Sequence, residues 1–304
     1  MDFSFNDEQT QLRREARGWF AAHFPLDRDW DGPQDDRWSE IAELGWLDVA
    51  EAGLGFIEEA ILFEEIGYAL YPGPYFATIG LALPWLGAED RAEVAAGRTR
   101  WSAEVRGLVP WLSSVDRVVA DGQAFAARGA ELPTVDPSRP LGRLERGEGS
   151  PLPGTRDVAR ARAAAASEAV GVAQRALELG IAHASTREQF GKPIGVYQAV
   201  SHRLADTYGD VELARSLAYW AAWCVAEEDE QAPVAAAAAK AFATEAAVAA
   251  CERAIQVHGG TGFTWEHPLH RYYKRALWLE GFGARPAELR AEVADAVLGV
   301  TIGV

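Results

Sequence analysis

The sequence predicts a mainly α fold with an N-terminal helical part, a reduced β segment in the middle and a C-terminal four-helix bundle. Three observations carry this. Apolar residues recur at steps of three and four over long stretches, as at Val170, Ala173, Leu177, Ile181 and Ala184, the spacing of an amphipathic helix. Between Thr99 and Gly154 this period gives way to short apolar segments broken by Gly107, Pro110, Gly122 and Gly129, the pattern of a few short strands. The long helical patterns of the second half are joined by connections short enough to make their neighbours antiparallel. The expected division is 1–98 helical, 99–154 shortened β and 155–304 helical bundle.

The first helix is expected over residues 6–24, with Asn6 as N-cap, Asp7 and Glu8 in the first turn, and Leu12, Ala16, Trp19 and Phe20 on one face. A second starts near Asp36 and stops at Gly45, and a third runs from about Gly55 to Ala69. Tyr71-Pro72-Gly73-Pro74 breaks the chain, and an apolar helix from Tyr75 to Leu86 follows. Strands are expected at Trp101–Val105, Arg117–Ala120 and Ala124–Ala127, and Pro133, Pro137, Pro140, Pro151 and Pro153 mark an irregular connection after them. Helices then cover about Arg156–Thr186, Gln198–Glu228, Pro233 to Gly259-Gly260, Pro268–Glu280 and Pro286–Leu298.

A chain of 304 residues with a net charge of −16 repels nucleic acid and anionic membrane, so neither is an expected partner. Cys224 and Cys251 have no ligand-like spacing to another thiol and suit a reducing cytoplasm. The opening Met1–Glu8 stretch lacks the basic and apolar regions of a signal peptide, and the most apolar run, Val234 to Ala239, is far short of the roughly 20 residues of a membrane helix. His267-x-x-His270 puts two imidazoles at helical spacing, but with no third ligand in the pattern no metal is expected. Arg271, Lys274 and Arg275 form a basic cluster that suits either CoA phosphates or a solvated helix face. Trp220 and Trp223, one turn apart, suit a core or a subunit interface.

The richest chemistry lies in Arg187-x-Gln189-Phe190-Gly191-Lys192-Pro193-Ile194-x-x-Tyr197-Gln198, between two long helical patterns. It offers a guanidinium for phosphate oxygens, a flanking lysine, glycines that let backbone approach a ligand, and aromatic faces. The same residues also make an ordinary corner with a Gly-x-Pro stop, and residue types alone leave both readings open.

Several ordered motifs together resemble the acyl-CoA dehydrogenase family along nearly the whole chain. Phe5-x-x-Glu8-Gln9-x-x-Leu12-Arg13, Leu44-Gly45-Trp46-Leu47 and Glu64-Glu65-Ile66-Gly67 are similar to its early landmarks. Arg187 through Gln198 is similar to its signature loop, and Gln256-x-x-Gly259-Gly260-x-Gly262-Phe263 to a second one. The resemblance implies FAD as cofactor, lying across a subunit interface. It implies that Arg187, Gln189, Phe190, Ile194, Tyr197, Gln198, Gln256, Gly259 and Gly260 hold the pyrophosphate and adenosine end of a neighbouring subunit's FAD. It also implies an acyl-CoA substrate and an electron-transfer flavoprotein as acceptor.

The resemblance breaks where a base should be. Family members remove the α-proton of an acyl-CoA with a glutamate found at either of two positions. Counted without gaps, these fall on Gly283 and Ala161. Glu280, one turn before Gly283, is a weak candidate base; Asp157 and Glu168, about one and two turns from Ala161, are poor replacements. The middle segment lacks Thr-Glu-Pro-like and Trp-Ile-Thr-like stretches, Trp101–Glu104 being at best a remnant, and the loop after Val49-Ala50 is trimmed to Glu51–Gly55. Together these losses resemble the short, degenerate subunit of actinobacterial heterotetrameric dehydrogenases of steroid and cholesterol side chains. That implies an α2β2 partnership with an unlike subunit. The alternatives are a homo-oligomer using a displaced base such as Glu280, and a non-redox structural or cyclase protein on this fold.

Overall fold

The structure, a computed structural model, describes residues 5–30, 35–49 and 53–299. The expected trimmed loop therefore lies partly outside the described residues. Helix α1 (Asp7–His23) opens on a capping box: Asn6 Oδ1 accepts from the Gln9 backbone N–H at 2.8 Å, and the Asn6 N–H donates to Gln9 Oε1 at 3.1 Å. Helix α2 (Trp38–Glu43) is a short turn closed by Gly45 at φ 73°. Helix α3 (Phe56–Ala69) is buried along most of its length and packs on both α1 and the first bundle helix, α5 (Val158–Thr186).

Two glycines make the α3–α5 approach possible. A Cβ on Gly67 would lie 2.0 Å from the Glu168 carbonyl oxygen, and one on Gly171 would lie 1.8 Å from that of Glu64. The backbones touch there, leaving no room for any side chain. Around this crossing the buried Glu64 and Glu65 take Arg13, Arg17 and Arg215 as partners, and Tyr219 Oη donates to Glu64 at 2.8 Å.

The apolar stretch after Pro74 departs from the expected α-helix. Residues Phe76–Ala82 wind as a π-helix and Leu83–Trp85 as a 3-10 turn. Pro84 has no N–H to donate to an α-helical ladder, and the Thr78 hydroxyl is drawn sideways to the Trp101 carbonyl at 2.8 Å. Helix α4 (Ala88–Ala95), which the periodicity did not flag, leads to the β segment.

Seven short strands are found among the described residues of that segment, more than expected. They are β1 (Trp101–Ala103), β2 (Val109–Pro110), β3 (Arg117–Ala120), β4 (Gln123–Ala126), β5 (Gly129–Leu132), β6 (Leu141–Leu144) and β7 (Ser150–Pro151). One sheet has the order β1-β3-β4-β7, with β1 parallel to β3, and the other β2-β6-β5. Strands β6 and β7 lie in what the sequence presented as irregular connection, and β5 just before it, because cross-strand pairing overrides weak local propensity.

The remaining helices are α6 (Gln198–Ala226), α7 (Ala232–His258), α8 (Leu269–Gly281) and α9 (Pro286–Leu298), each within two residues of expectation. Helix α7 has Pro233 in its first turn and is packed by α5, α6, α8 and α9. Its alanines let these neighbours come close. They also make Ala232–Phe263 long and apolar enough to pass as a membrane span by length and composition, which the shorter Val234–Ala239 run did not suggest; 67% of its most apolar window is buried inside the protein. Trp220 and Trp223 pack against the main core, and both cysteines are buried free thiols.

Candidate functional site

The two signature loops leave the bundle at the same end. From the α5 C-terminus, strands β8 (Glu188–Gln189) and β9 (Lys192–Pro193) form a hairpin whose turn residues, Phe190 and Gly191, have φ of 54° and 75°. Positive φ at both central residues is what a type I′ two-residue hairpin requires. The Ile194 N–H donates to the Arg187 carbonyl at 2.8 Å and Tyr197 Oη to the Gln189 carbonyl at 3.0 Å, so these two side-chain positions shape the loop. Arg187, Gln189 and Gln198 are exposed, and Phe190 is 92% exposed. At the α7 C-terminus Gln256, Gly259 and Gly260 are exposed too, and a Cβ on either glycine would meet nothing within 4 Å.

Histidines tie these loops together. His183 of α5 stacks on His258 of α7 with ring centroids 4.2 Å apart, and His258 faces His267 at 4.4 Å. Burial and the neighbouring imidazoles push His267 down to about 4 and also lower His183, whose third cause is Arg187. His267 thus belongs to a ring stack, and among the described residues no group suited to a metal ion is found. Beyond the glycines Phe263 and Trp265 are 79% and 75% exposed.

A second feature is a cavity of about 390 Å³ between β1, β3, the π-helix, the α5 N-terminus and the α8–α9 turn. Both expected base positions, Gly283 and Ala161, line it, although they are distant in sequence. Its wall combines apolar side chains, Phe76, Leu81, Val119 and Phe282, with the cationic Arg106, Arg156, Arg162 and Lys240. Its carboxylates are engaged: Arg146 pairs with Glu104 at 3.0 Å and with Asp121 at 2.5 Å, and Asp157 caps α5 by accepting from the Arg160 N–H at 2.8 Å. Glu280 is not among the lining residues. It sits half-buried on α8, its pKa raised by burial and by Glu245 and Glu252 of α7.

Glu168 is fully buried on α5, paired with Arg139 and, at 2.8 Å, with Arg275. Arg275 also takes Asp136 at 2.5 Å. The expected basic cluster is therefore no cluster. The i, i+3 and i, i+4 geometry of α8 turns Arg275 into the core, whereas Lys274 lies 4.3 Å over the Trp265 ring and Arg271 4.9 Å over Trp30.

The family model described as "Acyl-CoA dehydrogenase, N-terminal domain" matches residues 6–86, and that described as "Acyl-CoA dehydrogenase, C-terminal domain" matches 147–293. The chain is 36% identical to acyl-CoA dehydrogenase IpdE2 of Mycobacterium tuberculosis over 243 residues, covering 75% of this chain and 74% of that protein. The chain belongs to the acyl-CoA dehydrogenase family. Among solved structures it is similar to a variant of the Tcur3481-Tcur3483 steroid ACAD, with TM-score 0.82, 27% identity, and coverage of 96% of this chain and 98% of that one. The ChsE4-ChsE5 complex from Mycobacterium tuberculosis gives TM-score 0.86 at 22% identity over 99% of this chain and 100% of that chain, a likeness of fold.

Acyl-CoA dehydrogenases are FAD-dependent flavoproteins. The loops at the bundle end fit the anionic part of such a cofactor: one exposes guanidinium and amide groups, and the other a glycine pair with open space where side chains would stand. Among the cavity residues that sequence reasoning missed, one is buried and cationic. Lys240 stands in the alanine run of α7 and is 4% exposed, yet it reaches the α8–α9 turn beside Gly283.

Proposed function

We propose that the chain is a non-catalytic subunit of an FAD-dependent acyl-CoA dehydrogenase, working with an unlike subunit that supplies the base and the flavin-ring site. The observation that carries this reading is one cavity holding both base positions as Gly283 and Ala161, with every lining carboxylate engaged. α,β-Dehydrogenation requires a carboxylate free to take the α-proton. FAD, when bound, supplies the hydride acceptor. Arg187, Gln189, Gln198 and Gln256 bind the pyrophosphate and adenosine end of the partner's FAD, with Gly259 and Gly260 offering backbone N–H groups. Phe190, exposed at the hairpin tip, covers that cofactor or seats on the partner. The acyl-CoA, including a steroid side-chain thioester, is then processed in the partner's pocket, with an electron-transfer flavoprotein as acceptor and the cytoplasm as setting. The partition into 1–98, 99–154 and 155–304 gives the third part the contacts made in trans.

The test is flavin stoichiometry. Expressed with a complementary dehydrogenase subunit, the complex should carry one FAD per unlike pair, and Arg187→Ala should lower that content. Purified alone the chain should be colourless and inactive. A yellow, fully active chain on its own overturns the reading; if Glu280→Gln then abolished turnover, the displaced-base homo-oligomer would replace it. Flavin absent from every complex would favour a non-redox protein.

A further inference from the structure

The Lys240 ammonium is buried without a counter-ion. Its Nζ donates to the backbone carbonyls of Phe282 and Ala284, both at 2.6 Å, and no carboxylate among the described residues forms an ion pair with it. Two carboxylates act on it through space without forming an ion pair: Glu288 of α9, which binds Arg106 at 3.0 Å, and Glu280 of α8. Buried charges in proteins are ordinarily paired, because removing an ion from water is costly. Two neutral carbonyls offset only part of that cost, and the charges that act on it most strongly, Arg162 and Arg106, are of the same sign. Lys240 and these two arginines line the cavity together with Arg156, the engaged carboxylates Glu104, Asp121 and Asp157, and the apolar Phe76, Leu81, Val119 and Phe282.

We propose that this cavity binds an apolar carboxylate, whose head group supplies the counter-ion that Lys240 lacks and whose body lies against Phe76, Leu81, Val119 and Phe282. The volume of about 390 Å³ falls in the range of small-molecule pockets, about 300–1,000 Å³. An ammonium with two of its three donors spent on carbonyls has one left for the ligand. Gly283, between those carbonyls, has φ 72° and presents no side chain to block the approach. The site is thus a place for an acid, distinct in chemistry from a thioester oxidised by a carboxylate base, and it stands whether or not the chain contributes to a partner's flavin site. Burial, then Arg162 of α5 and Arg106 of the β1–β2 turn, bring Lys240 down to about 8, while Glu288 of α9 and Glu280 of α8 act in the opposite sense. The ligand-binding form is the protonated one, so affinity declines as pH rises beyond that value.

The experiment is calorimetric titration of the full chain with octanoate and, as an uncharged probe of the same chain length, octanol. Octanoate should bind at least tenfold more tightly than octanol at pH 7, and that preference should shrink by pH 9.5. Lys240→Met should abolish the preference. Because that variant also loses two hydrogen bonds to the turn, a second variant, Ala161→Phe, fills the cavity from α5 while Lys240 and the two residues whose carbonyls it binds stay unsubstituted, and should block both probes. Equal binding of octanol and octanoate, an unchanged preference in Lys240→Met, or no saturable binding at millimolar octanoate each overturns the proposal.

Discussion

The imidazole of His183 lies on that of His258, ring centroids 4.2 Å apart, at the point where α5 and α7 release their signature loops. With His267 behind them, these rings couple the Arg187 hairpin to the Gly259-Gly260 turn by ring-to-ring contact. Two like charges at this spacing would repel, and partial burial already disfavours the charged form.

The pH dependence follows from the sign of these shifts. His267 and His183 bind protons more readily unfolded than folded, so their contribution to stability is complete above about pH 6.5 and is lost as pH falls toward 4. After allowance for solvent screening the loss is on the order of 1 kcal/mol. Melting temperatures of the wild type and His267→Gln, compared between pH 7.5 and 4.5, should converge at low pH. Parallel curves would mean that the stack does not titrate.

The Gly67–Gly171 crossing predicts an unusually strong response to the smallest side chain. Gly67→Ala places a methyl 2.0 Å from the Glu168 carbonyl oxygen, and Gly171→Ala places one 1.8 Å from that of Glu64. Backbone cannot step aside as a side chain would, so each should cost about 3 kcal/mol, the upper end for overpacking. Gly18→Ala on α1, with nothing within 4 Å, is the control and should stabilise by about 0.5–1 kcal/mol through helix propensity. Urea midpoints distinguish them directly.

Removing Glu168 leaves Arg139 and Arg275 with only Asp136 between them in a fully buried site. Arg139 already has Nε and Nη1 without hydrogen-bond partners and leans on the rings of Phe76, Trp111 and Trp278. Glu168→Ala should therefore lower unfolding free energy by about 3–5 kcal/mol. Glu280→Gln, on the half-exposed α8 edge, should move it by no more than about 0.5 kcal/mol. Equal effects would show that Glu168 is not the anchor of the loop carrying Arg139.

What the sequence disclosed and what it hid divide along physical lines. The long helices were legible because burial of one face imposes the 3.6-residue period that Val170, Leu177 and Ala184 keep. The π-helical stretch was not, because its winding depends on the Thr78 hydroxyl meeting Trp101, a contact distant in sequence. Strands β5 to β7 were hidden for the same reason, their partners being set by the sheet rather than by local preference. In the candidate site, the empty base positions could be read by counting along two helices, but their meeting in one cavity could not. Lys240 was invisible inside an alanine run, and Arg275 passed for a surface charge, since neither burial nor pairing leaves a mark on a single cationic residue. The Arg187 and Gln256 loops were readable as motifs; the histidine stack joining them was not, because His183 is separated from His258 by two helices.

Gly260 separates folding from cofactor binding more cleanly than the charged loop residues do. A Cβ there would meet no atom of the chain within 4 Å, and its φ is not in the left-handed region that Gly259 occupies at 63°. Gly260→Ala should therefore fold normally, with a melting temperature matching that of Gly209→Ala, an equally open helical control, to within about 0.5 kcal/mol of stability. If backbone at this turn faces the pyrophosphate, the added methyl stands where a phosphate oxygen must come within hydrogen-bond distance of N–H, about 2.9 Å. The complex with an unlike subunit should then retain less FAD through gel filtration, by a factor of about ten for a displacement that breaks one charge-assisted hydrogen bond of roughly 1.5 kcal/mol. Gly209→Ala should leave retention intact. Full FAD retention by Gly260→Ala would remove the backbone of the glycine pair from the cofactor contact and leave the side chains of Arg187, Gln189, Gln198 and Gln256 as its candidates.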